Sequence, residues 1–178
     1  SKTNYVKSDF QIDDTIPVLD GASALYPVFS AIASATYPEK SVCFDGEKFT
    51  KESKVQMRNT RGAYKAVVDG VADIIFCASP SEGQLLYAKQ NNIELEFVPI
   101  GLEAFVFIEN ITNPVNDLSI EQIKGIYSGK IKNWKKVGGT NTLIAAWQRK
   151  EGSGSQTAFL KFMNGEKIRL NPFGIFFG

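Results

Sequence analysis

Between residues 148 and 157 the chain reads Gln-Arg-Lys-Glu-Gly-Ser-Gly-Ser-Gln-Thr, the stretch whose residue types and spacing point most directly to chemistry. It lies between an apolar run, TLIAAW (142–147), and the apolar-periodic TAFLKFM (157–163), so it connects a predicted strand to a predicted helix. Backbone N–H groups at a helix start point outward, and the glycines allow close backbone approach. Ser153 and Ser155 add hydroxyl donors, and Arg149 supplies a planar charged fork. These are the parts of an oxyanion cradle. A plainer reading uses the same residues: Ser153 with Gln156 three positions later fits an ordinary capping box. The local sequence supports both.

Three further loop-to-helix junctions carry small hydroxyl residues. Asp20-Gly-Ala-Ser-Ala-Leu25-Tyr26-Pro27 follows the first predicted strand, Asn59-Thr60 the second, and Ser79-Pro80-Ser81 the third. In an open α/β sheet, loops beyond the carboxyl ends of strands converge on one rim, where ligands bind. Each junction alone is no more than a turn. Together they favour an anion held by neutral donors.

The composition excludes much other chemistry. These 178 residues contain no histidine, which removes the Ser-His-Asp triad, the Cys-His dyad and the HExxH zinc site. Lys+Arg 20 against Asp+Glu 19 gives a net charge of +1, which argues against a general nucleic-acid binder. Cys43 and Cys77 are too few for a zinc cluster or a dense disulfide framework, and Cys77 reads as a small apolar residue in a strand. Gly125–Lys130 looks like a P-loop but is one residue short and lacks the following Ser or Thr. Gly152–Thr157 sits where a dinucleotide fingerprint would, yet its third position is Thr157. Neither GxSxG nor Ser-x-x-Lys occurs, and Asn110-Ile-Thr112 is a formal glycosylation sequon of a kind common by chance. The expectation is no catalytic residue, no cofactor and no metal.

The elements that must position the cradle follow from periodicity. Residues 15–20 read as a buried strand ending at Asp20-Gly21, and apolar residues at 24, 25, 28, 29, 32 and 33 predict a helix from Ser23 that tolerates Pro27 in its first turns. Residues 54–58 read as a strand, with Thr60 capping a helix through Val68. The continuous apolar run 72–78 predicts a buried parallel strand. Ser81 with Gln84, and later Ser119 with Gln122, form capping boxes that open helices. Strands are expected over 93–100 and 142–147, with Trp134 in a loop between. Phe105, Phe107, Tyr127, Trp134 and Trp147 occupy core-like positions, whereas Glu82, Lys89 and Glu121 read as solvated surface. Strand-helix alternation with short connections implies an α/β fold with mostly parallel sheets. A boundary near Gly101 divides it into 1–100, a first α/β lobe, and 101–178.

Four stretches in order, DGASALYPVFSAIA, NTRGAYKAVVDGVADIIFCASPSEGQ, NPVNDLSIEQIKGIYSGKIKNWKKVGG and QRKEGSGSQTAFLKF, resemble the phosphate-binding proteins of bacterial ABC importers. The resemblance covers nearly all of residues 15–163. It implies a type II periplasmic-binding-protein fold: two α/β lobes joined by crossing strands, with inorganic phosphate in the cleft and delivery to a membrane ABC permease. Residues 101–178 would then hold the hinge crossing and a partial second lobe. Carried over residue by residue, Arg149, Ser153, Gly154 and Ser155 match the family's anion loop, with Ser155 in place of Thr. Leu25 and Tyr26 match the first-loop positions, where Tyr26 would offer its backbone N–H, and Thr60 falls where the family has Ser at a helix start. Ser79 falls near the end of the third strand, but Pro80 follows it where many members have Asp or Arg.

That departure bears on specificity, because phosphate near neutral pH carries a proton that a buried carboxylate can accept, whereas sulfate carries none. Asp20, Glu103 and Glu151 are the candidate acceptors. A receptor for sulfate, molybdate or another tetrahedral oxyanion is the alternative, and a phosphate-handling enzyme a more distant one. The resemblance further implies an extracellular, monomeric receptor, lipid-anchored as a lipoprotein or periplasmic. The terminal EKIRLNPFGIFFG does not look like the family's continuation, so the second lobe is expected to be incomplete in this chain.

Overall fold

The computed structural model describes residues 6–169 and 176–177, so most of the terminal apolar stretch lies outside the described residues. The chain forms two compact units: Ser1–Phe97 with Gly152–Gly154, and Val98–Glu151 with Ser155–Gly178.

In the first unit, β1 (Leu19–Gly21) pairs in parallel with β2 (Ile74–Phe76), Leu19 opposite Ile74 and Gly21 opposite Phe76. The strand predicted over 15–20 is pared down at its start. Pro17 has no amide to give and its carbonyl accepts from the Tyr37 hydroxyl at 2.7 Å, while Val18 N donates to the Asp73 carboxylate at 2.7 Å. Residues 54–58 reduce to a single parallel bridge between Val55 and Leu19, closed by Leu19 N to Lys54 O and Gln56 N to Leu19 O, both 2.8 Å. Gly21 is required by the close approach of the two strands. A Cβ there would strike the Phe76 carbonyl and lie 3.0 Å from the Phe29 ring.

Helix α1 (Tyr26–Thr36) follows a short 3-10 turn over Ser23–Leu25 and lays Phe29 and Ala33 on the sheet. These two with Leu19, Tyr37 and Val55 form the core, and Phe29 stacks on Phe76 at 5.4 Å between centroids. Helix α2 (Asn59–Val68) and helix α3 (Glu82–Gln90) complete the unit. Asn59, not Thr60, supplies the α2 cap. With φ +60° it turns its Oδ1 to accept from Arg61 N and Gly62 N at 3.1 and 3.2 Å. The α3 capping box forms as expected from Ser81 and Gln84.

Two apolar runs differ from expectation. Ile74 in β2 is 47% exposed, and residues 93–100 form no strand, with only Leu95 among them half-buried. An apolar run states how much surface a segment needs to bury, but a strand also needs a neighbouring edge to pair with.

In the second unit, α4 (Ile120–Tyr127) is opened by the Ser119/Gln122 capping box, and a 3-10 turn follows at Trp134–Val137. The strand expected over 142–147 is replaced by one antiparallel bridge between Leu143 and Asn133. β3 (Gln148–Arg149) pairs in parallel with β4 (Phe176–Phe177). Helix α5 (Gly154–Met163) buries Phe159 and Met163. Tyr127 meets Phe159 at 4.5 Å and Phe107 at 5.7 Å, so both predicted aromatics pack as expected. Phe105 packs edge-on against Phe107 at 5.1 Å between centroids, but it and Trp147 stay 37% and 38% exposed, short of the buried positions expected. Among the described residues no helix is long and apolar enough to cross a membrane.

Candidate functional site

The first unit gathers three loop ends around one residue without a side chain. A Cβ placed on Gly154 would lie 3.2 Å from the Ala78 Cβ and 3.3 Å from the Thr60 Oγ1. Gly154 therefore stands against both Thr60, in the first turn of α2, and Ala78, just beyond β2. Thr60 is only 8% exposed, and its hydroxyl has no protein partner among the described residues. Among the described residues Thr50 Oγ1, not Thr60 Oγ1, is the buried side-chain oxygen without a partner, so the Thr60 hydroxyl stays within reach of solvent and is a ready donor for a bound anion.

Each part of this junction is fixed from behind. The carboxylate of Asp20, with no exposed surface, accepts from Gly21 N at 2.7 Å, Arg58 N at 2.9 Å and Arg58 Nη1 at 2.5 Å. It thereby locks the end of β1 to the entry of α2. Since Asn59 Oδ1 takes Arg61 N and Gly62 N, and Asp20 takes Arg58 N, the α2 amides left without a partner among the described residues are those of Asn59 and Thr60. On the next loop, the Tyr64 hydroxyl donates to Ala78 O at 2.8 Å, and burial pushes its pKa well above the usual tyrosine range. Cys77 is pushed up to about 12, mainly by burial and against the lowering effect of the Ala22 N–H, so it stays a neutral thiol at pH 7. Cys43 is also a free thiol.

The first loop behaves differently from its sequence reading. Tyr26 packs its ring on Phe29 at 5.4 Å and Phe49 at 5.7 Å, and Leu25 packs on the same core. Their amides are already committed in the 3-10 turn, Leu25 N to Ala22 O at 2.9 Å and Tyr26 N to Ser23 O. The amides of Ser23 and Ala24, one turn earlier, are those the turn leaves open among the described residues. The signal that could have found them is Ser23 between two alanines just after Asp20-Gly21, which favours a tight turn there. Asp20, for its part, is fully enclosed and engaged, so a ligand reaches it only by displacing Arg58.

Residues 14–172 match the PBP superfamily domain. The chain belongs to the PBP superfamily. It is 26% identical over 152 residues to the phosphate-binding protein PstS of Bacillus subtilis, covering 81% of this chain and 44% of that protein. It is 25% identical over 128 residues to protein SphX of Synechococcus elongatus, covering 66% of this chain and 34% of that one. Among solved structures it is similar to a candidate phosphate ABC transporter substrate-binding protein of Clostridium perfringens with bound phosphate. That match has TM-score 0.60 and 28% identity, and covers 84% of this chain and 56% of that one. The chain thus spans less than half the length of the curated relatives it matches.

In this PBP-superfamily chain the anion-loop residues divide between the two units. Gly152, buried at φ +81°, Ser153 and Gly154 belong to the first, where Gln84 Nε2 donates to Gly152 O at 3.1 Å. Arg149 and Ser155 belong to the second, both exposed. Arg149 N donates to Gln156 Oε1 at 2.9 Å, and Gln156 Nε2 donates to Gln148 Oε1 at 3.2 Å. Gln156 thus ties the start of α5 to β3, a use the capping-box spacing did not foretell. Ser79 is exposed just beyond Ala78, and Glu103 and Glu151 are exposed.

Proposed function

We propose that this chain belongs to a solute-binding protein that captures inorganic phosphate and hands it to a membrane ABC permease. The observation that carries the reading is the junction of Thr60, Ala78 and Gly154. The Thr60 hydroxyl, unpartnered among the described residues and within reach of solvent, and the start of α2 face a residue with no side chain there. Helix-start amides and hydroxyls stabilise a multivalent oxyanion without a metal, each charge-assisted bond contributing about 1.5–3 kcal/mol. Likeness to PstS and to the phosphate-bound Clostridium protein supports phosphate as the anion.

In this reading Thr60, Ser79, Ser153, Gly154 and Ser155 donate to phosphate oxygens and Arg149 supplies the fork. Leu25 and Tyr26 shape the first loop from the core. Residues 1–100 act as the first lobe, and residues 101–178 supply the crossing and the anion loop of the second. The receptor works as a monomer outside the cytoplasm, lipid-anchored or periplasmic, and transforms nothing chemically.

Titration calorimetry with phosphate tests this. Thr60→Val should weaken binding about tenfold, and Arg149→Ala by about 2–4 kcal/mol. Wild type without phosphate affinity overturns the reading, and an unchanged Arg149→Ala removes Arg149 from the site. A receptor for another tetrahedral oxyanion is the second reading, favoured by Pro80 after Ser79 and by the full engagement of Asp20. Competition with sulfate at pH 6 and pH 8 separates the two, since phosphate changes protonation across that range and sulfate does not.

A further inference from the structure

The side chain of Gln84 is divided between two tasks. Its Oε1 accepts from Ser81 N at 2.8 Å and closes the α3 capping box, while its Nε2 donates to the carbonyl of Gly152 at 3.1 Å. A capping box asks only for an acceptor at this position, and Glu serves as well as Gln. The second bond needs an amide. The matched box on α4 shows what the cap alone requires. Gln122 Oε1 accepts from Ser119 N at 2.8 Å, and its Nε2 has no acceptor among the described residues.

Gly152 is where a tether has leverage. It is buried, holds φ +81°, and opens the three-residue stretch that ends in Gly154 against Thr60 and Ala78. Because a trans peptide is planar, fixing the Gly152 carbonyl also fixes the direction of the Ser153 N–H at the other end of the same plane. The aliphatic stem of Arg61 packs over the same glycine, with Cγ 3.5 Å from where its Cβ would stand. We infer that Gln84 is a positioning residue, holding residues 152–154 in the conformation that receives the anion. This rests on the reading of these residues as an anion loop.

The test combines amide exchange of Ser153 and Gly154 in the ligand-free chain with phosphate calorimetry, on Gln84→Glu and Ser119→Ala. Gln84→Glu keeps the cap acceptor and lacks the donor. It should leave the melting temperature nearly unchanged, speed exchange at 153–154 about tenfold, and raise the phosphate Kd about tenfold. The Kd change should persist at high salt, where repulsion by the new carboxylate is screened. Ser119→Ala removes the matched cap on α4 and should lower the melting temperature while leaving both loop exchange and Kd unchanged. Unaltered exchange in Gln84→Glu overturns the inference, as does faster exchange with an unaltered Kd. If the wild type binds no phosphate, the functional reading fails separately, and exchange alone decides whether Gln84 holds the loop.

Discussion

The two units are built on different kinds of contact. The first is organised by backbone: β1 holds β2 on one side and Val55 on the other, Phe29 is sealed beneath, and Asp20 and Tyr64 fasten the loops. The second has two-residue strands and is held by side chains, above all Phe107, Tyr127, Phe159 and Phe162. A backbone-paired unit can fix loop ends to within a hydrogen bond, which suits a site made of amides and hydroxyls. A ring cluster is more tolerant, because apolar contact has no direction.

Core truncation should separate the units most. Phe29→Ala should cost about 3–5 kcal/mol in urea denaturation, since Phe29 has no exposed surface and packs against Gly21, Tyr26 and Phe76. Phe159→Ala should cost less, about 2–3 kcal/mol, because the surrounding rings can shift into the space. Equal losses would break the contrast.

Next in size are the polar fasteners of the first unit. Arg58→Met strands the buried Asp20 carboxylate; the arginine side chain is 35% exposed, so screening holds the loss to about 2 kcal/mol. Tyr37 gives a comparable effect in alkali. Burial, with the Asp73 carboxylate adding to it, raises the phenol to about 12. The folded chain therefore keeps the proton more tightly than the unfolded one, so this contribution is intact below about pH 10 and is lost as pH climbs towards 12. Melting temperature against pH should fall across that window, and less steeply in Tyr37→Phe.

The smallest effect is the most discriminating. Ser81→Ala and Ser119→Ala remove the same cap from α3 and α4 and should each cost about 1 kcal/mol by thermal melting. A clear difference would show that the units, rather than the caps, set helix stability.

The same twin caps show how far the sequence could be read. Ser-x-x-Gln spacing foretold both because a cap involves only four consecutive residues. Asn59 replacing Thr60 as the α2 cap was missed for a related reason: either residue can cap, and the choice follows from Asn59 tolerating φ +60° once Asp20 holds Arg58 N. Tyr26 was legible as a first-loop residue, but its ring and amide were absorbed by Phe49 and Ser23, contacts set by packing and by the turn.

By itself, then, the sequence determined what depends on neighbours along the chain: the five α-helices among the described residues, the capping boxes, the parallel α/β character and the absence of histidine chemistry. Tertiary structure decided what depends on distant partners. It shortened the strands to those with an edge to pair with and left 93–100 without one. It enclosed Asp20 with Arg58, and it brought Gly154 against Thr60 and Ala78, with Gln84 on Gly152. Hydrogen bonds and close approach act over a few ångströms. No spacing along the chain can fix which residues, 68 positions apart for Gln84 and Gly152, will come within that distance.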